Sequence, residues 1–140
     1  MNRKLNMGMV GGGPGSMIGK VHYRAALLDG QIDLVCGAFS SDPSRSGQTG
    51  REYFLQPGRI YDSWEEMIRK EKDLPEGIGM DFLCIATPNH LHYPQARMAL
   101  EYGFHVVCDK PLALNVEEAR ELSGLVRETG LVFALTHPYT

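Results

Sequence analysis

Long apolar runs are missing from this 140-residue sequence: no stretch approaches membrane-spanning length, and the first residues, MNRKLNMGMVGGG, carry too short an apolar run to predict a signal peptide. An excess of positive charge is missing too. Fourteen Lys and Arg stand against 17 Asp and Glu, scattered along the chain, so there is no electrostatic footprint for nucleic acid. Internal repeats and low-complexity segments are absent. Cysteine is scarce. Cys36, Cys84 and Cys108 are odd in number, lack metal-ligand spacing, and lie in or at the ends of apolar, strand-like runs. That placement predicts buried free thiols in a reducing cytoplasm rather than a disulfide framework. A weakly acidic surface leaves room for an anionic ligand, because backbone N–H groups hold one without positive side chains.

What is present is a pattern of alternation. An apolar fraction of 43% and a charged fraction of 22% are those of one soluble globular domain with a real core. Strands are predicted at Leu5–Gly11, Ile32–Phe39, Arg59–Asp62, Met80–Thr87, His105–Asp109 and Leu131–Thr136. The second, near-continuously apolar, reads as buried on both faces. Between them, helices are predicted from about Gly19 to Leu28, Ser44 to Leu55, and over SWEEMIRKEK, YPQARMALEYG and NVEEARELSGLVRETG. Ser63 with Glu66 and Asn115 with Glu118 carry capping-box spacing, and Gly103 and Gly130 serve as helix stops. Six strands alternating with five helices predict a parallel, doubly wound sheet in a three-layer α/β/α sandwich. Such sheets bind ligands outside the carboxyl ends of their strands, near the point where strand order reverses.

The chemistry-bearing residues gather at those ends. The first strand runs into Gly11-Gly12-Gly13-Pro14-Gly15, with a helix opening near Gly19. A glycine turn between a strand and a helix exposes N–H groups and admits a pyrophosphate without a Cβ in its way. The fourth strand ends in Thr87-Pro88-Asn89-His90-Leu91-His92, where Thr87 and Asn89 offer hydrogen bonds to a ribose or nicotinamide. His90 and His92 have no Cys or carboxylate at ligand spacing nearby, so no metal site is expected there. The fifth strand ends in Asp109-Lys110-Pro111. A lysine at that edge is placed to polarise a substrate hydroxyl during hydride transfer, and the Lys110–Pro111 bond has both isomers open to it. The sixth ends in Thr136-His137-Pro138-Tyr139-Thr140, polar and ring-bearing residues suited to a carbohydrate-type ligand or to the start of a linker.

Taken together, MVGGGPGSMIGKVH, CIATPNHLHYPQARMALEYGFHVVCDKPLAL and FALTHPYT resemble the N-terminal half of the Gfo/Idh/MocA oxidoreductases, the glucose–fructose oxidoreductase and inositol dehydrogenase family. The resemblance implies a Rossmann domain over residues 1–140 that binds NAD or NADP, with a C-terminal α/β substrate domain beyond it. It implies cofactor contacts from Gly11, Gly13, Gly15, Ile18 and Gly19, from Thr87, Pro88, Asn89 and His92, and from Asp109 and Lys110. Lys110 is implied as the catalytic lysine at the reacting oxygen, and His137 and Tyr139 as substrate-side residues. The general base is expected beyond residue 140, the substrate as a sugar or polyol, and the whole enzyme as a cytoplasmic homo-oligomer. A dinucleotide sensor or scaffold without catalysis is the competing reading, and Lys110 counts against it.

Three departures from the family pattern stand out. Five residues separate Gly13 from Gly19 where the usual fingerprint has two. Asp109 stands where the family's motif has glutamate. No acid stands at the immediate end of the second strand, which continues as Phe39-Ser40-Ser41-Asp42 with Arg45 beyond. Ser40, Ser41 and Arg45 suit a 2′-phosphate, with Asp42 as an opposing charge, which tilts the expectation toward NADP.

Overall fold

The computed structural model describes residues 2–138. Five parallel strands form one sheet: β1 (Leu5–Gly11), β2 (Ile32–Ala38), β3 (Phe82–Ala86), β4 (His105–Asp109) and β5 (Phe133–Thr136), in the order β2-β1-β3-β4-β5. The helices are α1 (Met17–Leu27), α2 (Pro43–Glu52), α3 (Trp64–Lys72), α4 (His92–Glu101) and α5 (Val116–Thr129). The chain moves from β1 outward to β2, then crosses back over β1 to β3. The switch point therefore lies between β1 and β3.

The expected six strands become five. RIYD sits beside β2, where a sixth strand belongs, but it makes only one parallel bridge, Gly37 to Ile60, closed by the Tyr61 amide donating to the Gly37 carbonyl at 2.8 Å. Pro57–Arg59 is coiled into a short 3-10 turn before it, and Ser63 caps α3 just after it, leaving too few extended residues for a ladder. With so little sheet beyond it, β2 is half-buried from Ile32 to Val35 rather than buried on both faces.

The sheet separates two apolar layers. Met67 and Ile68 of α3, Ala96, Ala99 and Leu100 of α4 and Leu122 of α5 pack on Val10, Cys36, Leu83, Ile85, Val106 and Cys108. On the other face Ala26 and Tyr23 of α1, with Tyr53 and Leu55 after α2, cover Met7, Met9, Phe82 and Cys84. All three cysteines are buried and free. Burial pushes the Cys84 and Cys108 thiols up to about 12 and Cys36 well above its ordinary value, so none is a ready nucleophile.

Four of the five helices begin where a side-chain oxygen caps them; α4, preceded by Leu91, starts without one. Ser63 Oγ accepts from the Glu66 amide at 3.2 Å and Asn115 Oδ1 from the Glu118 amide at 2.9 Å. Neither box closes on its cap: Glu66 pairs with Lys70, and Glu118 accepts from Leu114. Glu71, on the inward stripe of α3, is buried with every neighbour satisfied. It accepts from Arg59 Nε and Nη2 at 3.0 and 2.6 Å, from the Tyr61 hydroxyl at 2.9 Å and from the Met80 amide at 2.9 Å. Burial and this carboxylate together raise the Tyr61 phenol.

Candidate functional site

β1 ends in a turn that side chains are sterically kept out of. At Gly11 φ is +75°, and a Cβ would lie 2.5 Å from the Ala86 carbonyl oxygen at the end of β3. At Gly19 a Cβ would lie 2.5 Å from the Gly12 Cα, so α1 approaches the turn more closely than any side chain permits. Gly12, without a role in the sequence reading, is the partner that Gly19 packs on. The helix starts at Met17, two residues earlier than expected, because Ser16 caps it and accepts from the Gly19 amide at 3.2 Å. The widened fingerprint is thus absorbed by a loop, Pro14 to Ser16, closed by the Ser16 amide on the Gly13 carbonyl at 2.9 Å.

This turn floors a cavity of about 1030 Å³ at the carboxyl ends of β1, β2 and β3. Nine expected contacts line it: Gly11, Gly13, Gly15 and Ile18 from the turn and α1, Ser40, Ser41 and Arg45 from beyond β2, and Thr87 and Pro88 from beyond β3. Gly19 lies one layer down, packed on the turn. The opposite wall is Asp62, Ser63, Trp64 and Glu65, which the sequence reading missed. A signal for it was present, since RIYD ends in Asp62 and strand ends are where ligands gather.

On the β2 side Asp42 lies off the cavity lining. Its carboxylate caps α2, accepting from the Ser44 amide at 2.9 Å, while its own amide donates to Ser40 Oγ at 3.1 Å. Arg45 is exposed and reaches across to donate to the Pro14 carbonyl at 3.2 Å, joining α2 to the glycine turn.

On the β3 and β4 side the residues divide into two layers. Thr87 Oγ1 donates to Gln95 Oε1 at 2.7 Å, and Gln95, which also lines the cavity, leaves its buried Nε2 without a partner. Asn89 is exposed at the start of a 3-10 turn, and His90 is exposed on the cavity wall. His92, expected as a cofactor contact, is 0% exposed. Its ring lies between two carbonyl oxygens, Nδ1 at 2.6 Å from Pro111 and Nε2 at 2.9 Å from Thr87. Both partners only accept, so a neutral ring donates to one of them and an imidazolium to both. Asp109 is likewise turned inward: its Oδ1 accepts from Thr136 Oγ1 at 3.1 Å and lies 3.7 Å from His22 Nε2. Lys110 is exposed at the tip of β4, beyond the lining of the cavity, and the Lys110–Pro111 peptide bond is cis. His137 is exposed just past β5, two strands from β3, and Tyr139 lies outside the described residues. Among the described residues no group of three or more His, Cys, Asp or Glu is placed to hold a metal ion. No helix among them is long and apolar enough to cross a membrane.

Residues 5–137 match the GFO_IDH_MocA family model, described as an oxidoreductase family with an NAD-binding Rossmann fold. The chain belongs to the Gfo/Idh/MocA family. Within the family it is 33% identical over 141 residues to an uncharacterized oxidoreductase, YfiI, of Bacillus subtilis, covering 100% of this chain and 35% of that protein. An inositol dehydrogenase homolog from Azotobacter vinelandii, in a crystal structure with NADH and myo-inositol, superposes with a TM-score of 0.93 at 38% identity. That match covers 97% of this chain and 35% of the other. An oxidoreductase from Sinorhizobium meliloti superposes with a TM-score of 0.90 at 43% identity, covering 99% and 38%. The chain therefore spans about a third of the length of these Gfo/Idh/MocA relatives.

The residues present fit a dinucleotide. The cavity lies at the switch point of the sheet, Gly11, Gly12 and Gly13 of its floor carry no side chain to block a phosphate, and a capped helix N-terminus opens onto it. The unpartnered Gln95 amide on its wall supplies a donor that the protein itself leaves unused.

Proposed function

We propose that residues 1–140 are the nucleotide-binding domain of an NAD(P)-dependent dehydrogenase, followed in the whole protein by a substrate-binding α/β domain. The observation that carries this reading is the cavity at the switch point, floored by a turn in which Gly11, Gly12 and Gly19 exclude side chains. Bound there, a nicotinamide supplies the hydride acceptor or donor. The glycine turn and the first amides of α1 hold the pyrophosphate. Arg45, with Ser40 and Ser41, lines the cavity and takes a 2′-phosphate, while Asp42 stands off the lining, which favours NADP over NAD.

Lys110, at the tip of β4, donates a hydrogen bond to the reacting oxygen of a secondary alcohol or ketone. In the oxidising direction the carbinol carbon gives up a hydride, and a base outside these residues takes the hydroxyl proton as the carbonyl forms. His137 and Tyr139 lie on the segment leading toward the substrate. The myo-inositol held by the Azotobacter vinelandii relative supports a cyclitol or sugar as substrate class. Three buried thiols suit a reducing, cytoplasmic setting.

Trp64, the only tryptophan, lines the cavity, so its emission reports occupancy. Titration of the 140-residue chain is expected to give saturable quenching by NADPH and by NADH, tighter for NADPH. Arg45→Ala is expected to weaken NADPH about tenfold, the worth of one charge-assisted contact, and to leave NADH nearly unchanged. No response to either dinucleotide at millimolar concentration would overturn the reading.

A further inference from the structure

The Asp109-Lys110-Pro111 turn is approached from both faces of the sheet by a histidine, hydrogen-bonded on one face. From the α4 side, His92 stands at the first position of its helix, fully buried, with Nδ1 2.6 Å from the Pro111 carbonyl and Nε2 2.9 Å from the Thr87 carbonyl. One ring therefore spans the ends of β3 and β4 at the residues that flank the cavity and the lysine. From the α1 side, His22 lies on the inward stripe between Gly19 and Ala26, one turn after the packing on Gly12. Its Nε2 is buried, has no hydrogen-bond partner, and lies 3.7 Å from Asp109 Oδ1; the two side chains are 11% and 14% exposed. Thr136 of β5 donates to the same carboxylate oxygen at 3.1 Å. Three elements thus converge on the residues on either side of Lys110, while Lys110 itself is exposed.

We propose that His92 and His22 are positioning residues for Lys110, joining the helix that opens at the glycine turn to the turn that carries the lysine. The proposal rests on the dinucleotide reading above. His92 is the short, hydrogen-bonded arm; His22 is the longer arm, 3.7 Å from the Asp109 carboxylate. Neither ring is offered to a ligand, which separates them from the cavity-lining His90. The strand order assigns them an end of the cofactor. With the 2′-phosphate side at β2 and the pyrophosphate at β1, the remaining half extends over β3 toward β4. The histidines therefore support the nicotinamide half and not the adenosine half.

The test compares NADPH with its fragment 2′-phospho-ADP-ribose, which lacks only the nicotinamide, on the 140-residue chain. His92→Gln, which loosens the Lys110 turn through the Pro111 carbonyl, is expected to weaken NADPH about tenfold and to change the fragment by less than twofold. His22→Leu is expected to act in the same direction with a smaller factor. In amide NMR spectra, the shift that NADPH induces at Lys110 in the wild type is expected to shrink in both variants. Equal losses for NADPH and the fragment would mark the histidines as general scaffold and overturn the proposal, as would no loss for either ligand. Should His92→Gln fail to fold, His22→Leu and the wild-type Lys110 shift still decide it: no NADPH-induced shift at Lys110 in a chain that binds NADPH overturns it. A wild-type chain that binds neither ligand overturns the dinucleotide reading itself, a different outcome from any of these.

Discussion

The two edges of the sheet treat their polar groups in opposite ways. At the amino edge everything is closed. Asp81, just before β3, accepts from both Arg3 Nη atoms at 2.7 Å and from the Asn6 amide at 2.7 Å, and the Asn6 side chain donates to the Gly77 and Gly79 carbonyls at 3.0 Å. Glu71 is surrounded in the same manner. At the carboxyl edge, Gln95 Nε2 on the cavity wall is buried without a partner, and Arg45 spends one bond on a carbonyl. A carboxylate whose oxygens are all occupied holds a fold together. Donors left open around a cavity are available to a ligand. Strong polar clustering alone therefore does not mark a site; an unsatisfied group on a cavity wall, such as Gln95, points to one.

Breaking the closed edge should cost the most stability. Glu71→Ala strands a guanidinium, a phenol and an amide in the interior, and is expected to lower unfolding free energy by about 3–5 kcal/mol in urea denaturation. Dinucleotide affinity per folded molecule should stay as it was; a large change in it would erase the contrast between the edges. The open edge should respond the other way. Gly19→Ala forces α1 off Gly12, at a cost of about 1–3 kcal/mol in the same assay. Its larger effect is expected on dinucleotide titration, where displacing the turn removes most of the binding. Retained affinity would show that the close approach of helix and turn serves packing alone.

The smallest effect is a pH dependence. Arg3 beside Asp81 holds its carboxyl below the ordinary carboxylate range, with the Asn6 amide adding to this. A folded value below the unfolded one means that the stabilisation is complete above about pH 4. It is lost as pH falls through the depressed folded value. Asp81→Asn is expected to be less stable than the wild type at neutral pH, with the gap closing in acid. A gap that persisted unchanged at pH 2 would show that the Arg3 pairing is not what lowers the carboxyl.

The repeating units were legible in the residues because each rests on short-range rules. Leu5–Gly11 has the same bounds in sequence and structure, and all five helices form within a few residues of their expected places, with α2 ending at Glu52 rather than Leu55. The glycine turn, Ser40, Ser41, Arg45, Thr87 and Pro88 were legible as cavity residues because strand ends are where such sheets bind ligands. The failures came from contacts across the chain. Whether RIYD makes a ladder depends on the 3-10 turn at Pro57–Arg59 and on the start of α3, neither of which local alternation records. His92 and Asp109 carry the residue types of a ligand site, yet their polar atoms are taken up by Pro111, Thr87 and Thr136.

The residue order alone sets the alternation of strands and helices, the position of the glycine turn and the placement of a lysine at a strand end. Local spacing and backbone sterics are enough for those. Only the tertiary structure decided which polar groups are spent and which remain available. A hydrogen bond between residues distant in the chain is invisible to any local pattern, and burial converts an unused donor from a surface commonplace into a sign of a ligand.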